Sequence, residues 1–130
     1  MSERAIILLA HGSRDPLWRR PIEAVQARLQ TLRPGIAVRC AYLELCPPSL
    51  EQVLQELADG DCTRIAIAPL FLGAGRHVRE DLPQTVRALA QQFPQLRLSL
   101  AGHIGEDERV VALLAQMAAQ ALDSQDFIDD

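Results

Sequence analysis

The chain has 130 residues, 48% hydrophobic and 23% charged, which suits one compact domain able to bury a core without disulfide or metal staples. A net charge of −4 argues against a nucleic-acid partner, and all 13 basic residues are Arg. Without Lys there is no lysine nucleophile or Schiff base, while the guanidinium groups supply planar donors suited to carboxylates or phosphates.

Residues 5–10, Ala-Ile-Ile-Leu-Leu-Ala, form a continuous apolar run that predicts a first strand ending at His11. His11-Gly12-Ser13-Arg14 then turns toward Asp15-Pro16, an N-cap with Pro at the first helical position. Ile22, Val25, Leu29 and Leu32 mark the first helix, which Pro34-Gly35 stops. A second strand covers roughly residues 36–43, and Glu44 follows it. Pro47-Pro48-Ser49 opens a second helix with Leu50, Val53, Leu54 and Leu57 on one face. Strand three is residues 64–70, where Pro69 near the carboxyl end is tolerable and helps break the ladder. A Gly-rich loop, Phe71–Asp81, holds Gly73, Gly75, Arg76, His77 and Arg79. Leu82, Val86, Leu89 and Phe93 mark helix three, residues 96–101 are strand four, and helix four runs from about Glu106 to Leu122. Residues 123–130 form an acidic tail outside a single domain spanning 1–122.

Four alternating strand and helix units predict an α/β fold, a three-layer α/β/α arrangement around a four-stranded parallel sheet. Strand one and the Ile-Ala-Ile-Ala-Pro-Leu run of strand three read as buried on both faces, and so as central. Strands two and four alternate with polar residues, as in Val38-Arg39-Cys40-Ala41-Tyr42 and Leu96-Arg97-Leu98-Ser99-Leu100, and read as edges. With right-handed crossovers this favours the order 2-1-3-4. The topological switch point then falls between strands one and three, where open α/β sheets bind ligands, and His11 and His77 flank it.

Imidazole suits both a divalent transition metal and a proton near neutral pH. Glu44, from the edge strand beside strand one, has the reach to join the two histidines as an open metal site or to cap the following helix. Arg14, Arg76 and Arg79, with Ser13 and the amides of the first turn, suit substrate carboxylates. Arg76 and Arg79 suit pairing with Glu80 and Asp81 equally well. His103 closes strand four on the same rim, farther from the switch point. Trp18 and Tyr42 are the large amphipathic aromatics. Cys40, Cys46 and Cys62 make no Cys-x-x-Cys pair and read as buried small residues, Cys46 being the one placed to line a site. No phosphate loop, dinucleotide fingerprint or nucleophile elbow is present. The amino-terminal residues do not read as a leader and no apolar run reaches membrane-spanning length, so a cytoplasmic protein with no membrane partner is expected.

Three segments together carry a family likeness: His11-Gly12-Ser13-Arg14-Asp15-Pro16; Leu43-Glu44 followed by Pro48-Ser49-Leu50; and Pro69-Leu70-Phe71-Leu72 with Gly75, His77-Val78 and Glu80-Asp81-Leu82-Pro83. In this order and spacing they resemble the short CbiX-type chelatases, over the chain to about Leu122. The resemblance implies insertion of a divalent metal substrate, Co2+, Fe2+ or Ni2+, into a sirohydrochlorin-type tetrapyrrole by a homodimer with no organic cofactor. It implies His11 and His77 as metal ligands, with Glu44 as a further ligand or proton acceptor. A non-catalytic tetrapyrrole or metal carrier using the same crevice is the alternative. Phosphoryl transfer through His11 is disfavoured, because Ala10 stands where histidine phosphatases carry Arg.

Overall fold

A computed structural model describes residues 3–124, 127 and 128. Strand β1 spans Arg4–Ala10, β2 Ala37–Tyr42, β3 Arg64–Pro69 and β4 Arg97–Leu100. Helix α1 covers Arg20–Leu32, α2 Leu50–Ala58, α3 Arg76–Gln92 and α4 Glu108–Gln120. The strands form one parallel sheet in the order β2-β1-β3-β4, as strand composition predicts.

Register assigns the two faces. Ala5, Ile7 and Leu9 of β1 align with Ala37, Arg39 and Ala41 of β2 and with Ile65, Ile67 and Pro69 of β3. This face carries the main core, where Leu50, Val53, Leu54 and Leu57 of α2 meet Leu82, Val86 and Leu89 of α3, with Phe71 and Phe93. The α2 start is held by a capping box: Ser49 Oγ accepts from the Gln52 amide, and Gln52 Oε1 accepts from the Ser49 amide.

The opposite face is thinly covered. Helix α1 packs on β2 and β1, yet none of its residues is fully buried. Its Gln26 and Gln30 side-chain amides donate to the carbonyls of Val38 and Ile36, giving partners to backbone groups along the edge strand. Among the described residues no comparable packing covers this face of β3 and β4, where Ala66 and Ala68 are half-buried and Ser99 is exposed. Helix α4 leaves the carboxyl edge, makes its main contacts with the 3-10 turns that flank it, and buries no residue.

Several boundaries differ from expectation. Pro16–Arg19 is a 3-10 turn capped by Asp15, whose Oδ1 accepts from the Leu17 amide, and α1 begins only at Arg20. Helix α3 begins at Arg76, so His77 sits in a helical first turn instead of a loop. The tail expected over 123–130 starts in the final 3-10 turn, Ala121–Asp123; residues 125, 126, 129 and 130 lie outside the described set. Among the described residues, no helix is long and apolar enough to cross a membrane.

Candidate functional site on the carboxyl rim

His11 leaves β1 next to the turn that follows β2. Its carbonyl accepts from the Glu44 amide at 3.0 Å, and the Ala10 carbonyl accepts from the Leu43 amide at 3.0 Å. Gly12 makes the approach possible. Its φ of 107° lies where L side chains rarely go, and a Cβ there would overlap the Glu44 carbonyl oxygen. Leu45, one residue past Glu44, also has positive φ, 69°. For a non-glycine residue that conformation costs roughly 1–2 kcal/mol. The backbone is therefore bent to bring Glu44 alongside His11.

The other side of His11 meets Phe71, the buried residue that continues β3. Their ring centroids lie 4.4 Å apart, and Phe71 meets the His103 ring at 5.6 Å. Three strand ends thus supply a row of rings, His11–Phe71–His103, across the sheet rim. The Gly105 amide donates to the Phe71 carbonyl at 3.0 Å, and Gly105 packs so tightly on Leu72 that a Cβ would overlap its backbone. Nδ1 of His103 is buried and has no hydrogen-bond partner among the described residues. Sequence reasoning set His103 apart on an edge strand and missed Phe71 as the bridge. The alternation Ile65, Ile67, Pro69, Phe71 is the signal that puts Phe71 on the core side.

His77 is exposed in the first turn of α3 and lines a cleft of about 340 Å³ with Tyr42, Ser49, Glu51, Asp81 and Thr85. Burial, reinforced by nearby Cys40 and Glu23, pushes the Tyr42 phenol up to about 12, so it remains a neutral donor. Trp18 meets Tyr42 edge-on at 6.2 Å and stays at the surface. Ser13 Oγ accepts from the Asp15 amide at 3.1 Å, and Arg14 is exposed. Arg76 pairs with Glu80 at 3.0 Å, whereas the exposed Arg79 makes no ion pair among the described residues. Burial raises the Cys40 and Cys62 thiols above their ordinary range, which suits inert packing and opposes thiolate ligation.

Among the described residues no three His, Cys, Asp or Glu side chains converge on a point that would hold a metal. The fold brings Glu44 to His11 through the backbone, but it does not gather His11, Glu44 and His77 into a closed ligand set.

The CbiX family model matches residues 5–121. The chain is 28% identical over 115 residues to sirohydrochlorin ferrochelatase of Priestia megaterium, covering 86% of this chain and 42% of that protein. It is 25% identical over 117 residues to sirohydrochlorin cobaltochelatase of Sulfolobus acidocaldarius, covering 90% and 91%. The chain therefore spans less than half of the first relative and nearly all of the second. Among solved structures, a cobalamin biosynthesis CbiX protein from Marinobacter aquaeolei VT8 superposes with a TM-score of 0.81 at 30% identity, covering 92% of this chain and 98% of that one. The cobalt complex of the chelatase SirB from Bacillus subtilis superposes at 0.76 with 27% identity, covering 92% and 51%. A family match over nearly the whole chain, on a fold built to the same plan, establishes that this protein belongs to the CbiX family.

Proposed function

We propose that this protein is a chelatase that inserts a divalent metal, Co2+ first among Co2+, Fe2+ and Ni2+, into sirohydrochlorin. The observation that carries the reading is the family match over residues 5–121, which embraces His11, Glu44 and His77 together. Relatives spanned over nearly their whole length are cobaltochelatases, which favours cobalt.

In this reading His11 and His77 hold the incoming metal as ligands, with Glu44 and water completing an open shell. Arg14, Arg76 and Arg79 meet the carboxylates of the macrocycle, and Ser13 orders the turn whose amides face the same anions. Two pyrrole N–H protons leave as two metal–nitrogen bonds replace them. A neutral imidazole or the Glu44 carboxylate accepts them, since bases with a pKa near the working pH serve best. The protein acts in the cytoplasm as one domain over residues 1–122 with an acidic tail, and as a homodimer. Two copies would match the length of SirB, about half of which this chain spans.

An anaerobic insertion assay with sirohydrochlorin and each of the three metals tests the reading. His11→Ala and His77→Ala are expected to lower insertion at least about a hundredfold, the scale of a lost catalytic group, with circular dichroism unchanged. Normal rates in both variants would overturn the assignment. Tight binding of tetrapyrrole without turnover by the unaltered protein would make it a carrier instead.

A further inference from the structure

His11 stands exposed at the end of β1, pinned through its backbone by the Glu44 amide. Its ring has no polar brace. Among the described residues neither imidazole nitrogen of His11 makes a hydrogen bond or an ion pair. A metal-binding histidine is ordinarily held by a hydrogen bond from its second ring nitrogen to a carboxylate or carbonyl, which fixes the ring. An exposed side chain without such a brace changes rotamer on the picosecond to nanosecond scale.

What meets the ring is Phe71, 4.4 Å away between centroids, with the two planes 31° apart. That tilted stack sits at the close end of the range aromatic rings prefer. Phe71 is held on all sides. It is 1% exposed and belongs to the main core. The Leu70 amide donates to the Leu9 carbonyl at 2.8 Å, which ties the exit of β3 to β1. The Gly105 amide donates to the Phe71 carbonyl, which ties the same residue to the turn after β4.

His103 closes the stack from the other side, since β3 lies between β1 and β4 in the sheet. Its ring lies 5.6 Å from that of Phe71, with planes 33° apart. This placement leaves Nδ1 of His103 buried with no hydrogen-bond partner among the described residues. A buried polar atom in that state is destabilising, so its presence requires a reason. Packing against Phe71 supplies one.

We propose that Phe71 is a positioning residue for His11: it fixes the plane of the metal-handling imidazole by stacking, in place of a hydrogen bond, and His103 buttresses the stack from β4. The lone pair of an imidazole nitrogen lies in the ring plane, so a wall that sets the plane sets the direction in which the ring binds a metal. A hydrogen bond would engage one nitrogen, whereas a stack engages neither. The inference rests on the reading of His11 as a metal ligand and explains how its ring is held.

Calorimetric titration of the full-length chain with Co2+, beside insertion kinetics with Co2+ and sirohydrochlorin varied separately, tests it. Phe71→Leu keeps an apolar side chain in the core and removes the ring. It is expected to weaken Co2+ binding about tenfold, the lower end of what outer partners of ligating histidines contribute. KM for Co2+ should rise while KM for sirohydrochlorin stays put. A fall in kcat alone, with Co2+ affinity unchanged, would reduce Phe71 to core packing and overturn the proposal. His103→Phe and His103→Ala decide the matter should Phe71→Leu fail to fold. The first keeps a ring and should bind Co2+ as the unaltered chain does, whereas the second should bind it more weakly. Equal losses in both would make His103 a ligand instead of a buttress, and no loss in either would overturn the stack. His11→Ala separates this from the functional reading. If Co2+ binding survives in that variant, His11 is no ligand and both fall. If binding depends on His11 and Phe71 yet no insertion occurs, the positioning role stands and the chelatase reading fails.

Discussion

Gly12 shows how much of the rim depends on one missing carbon. Its φ of 107° and its packing on the Glu44 carbonyl exclude any side chain, and Glu44 in turn donates its amide to His11. Gly12→Ala is expected to cost at least about 2 kcal/mol, since strain in the left-handed region adds to direct overlap with backbone. Urea unfolding measures that cost. On the proposed function, metal insertion should fall further than the folded fraction does, because relief of the overlap moves Glu44 away from His11. Equal losses in stability and activity would mean that the turn is only scaffolding. In the sequence, Gly12 after His11 is legible as a close-approach residue, but its partner is not. Glu44 lies 32 positions away and meets it only through the pairing of β1 with β2.

Elements differ in how plainly they announce their ends. The α2 start is written in Ser49 and Gln52, each bonding the backbone of the other. The α3 start carries no such signal, because Gly75 is its N-cap and offers no side chain to the first turn. Gly73, Gly75 and the charged residues after them therefore read as a loop, though the backbone is already helical at Arg76. Helix α4 begins with a stronger device. Asp107 accepts from the Arg109 amide and from both ends of its guanidinium, which hold the carboxyl down to about 2 from its ordinary 3.8. A carboxyl depressed in the folded chain contributes stability that is complete above pH 3.8 and disappears as pH falls through 2. The first turn of α4 should accordingly hold at pH 4 and fray below about 2. Arg109→Ala should return the Asp107 midpoint to the ordinary carboxylate range. Carbon-13 NMR of the Asp107 carboxyl through an acid titration reads both outcomes, and an unmoved midpoint in the variant would discount the guanidinium.

Across the whole molecule, the strand order was legible because the four strands differ in composition: two apolar beyond their first residue, two alternating. Which face holds the core was not, since helices α1, α2 and α3 all carry apolar residues at helical spacing. Register decides it. The side chains of α2 and α3 close over Ile7, Leu9 and Ile67, whereas α1 leaves Val25 42% exposed and Leu32 74% exposed. The molecule is therefore one-sided in its energetics. Leu54, fully buried between α2 and the sheet, should lose about 2–5 kcal/mol on truncation to Ala, through lost transfer energy and the cavity left behind. Val25→Ala, on the thin side, should stay within about 1 kcal/mol of the unaltered chain. Urea unfolding at one fixed protein concentration compares the two without any change in association. Similar costs at both positions would mean that α1 is covered in solution as fully as α2, and that the energetics are not one-sided.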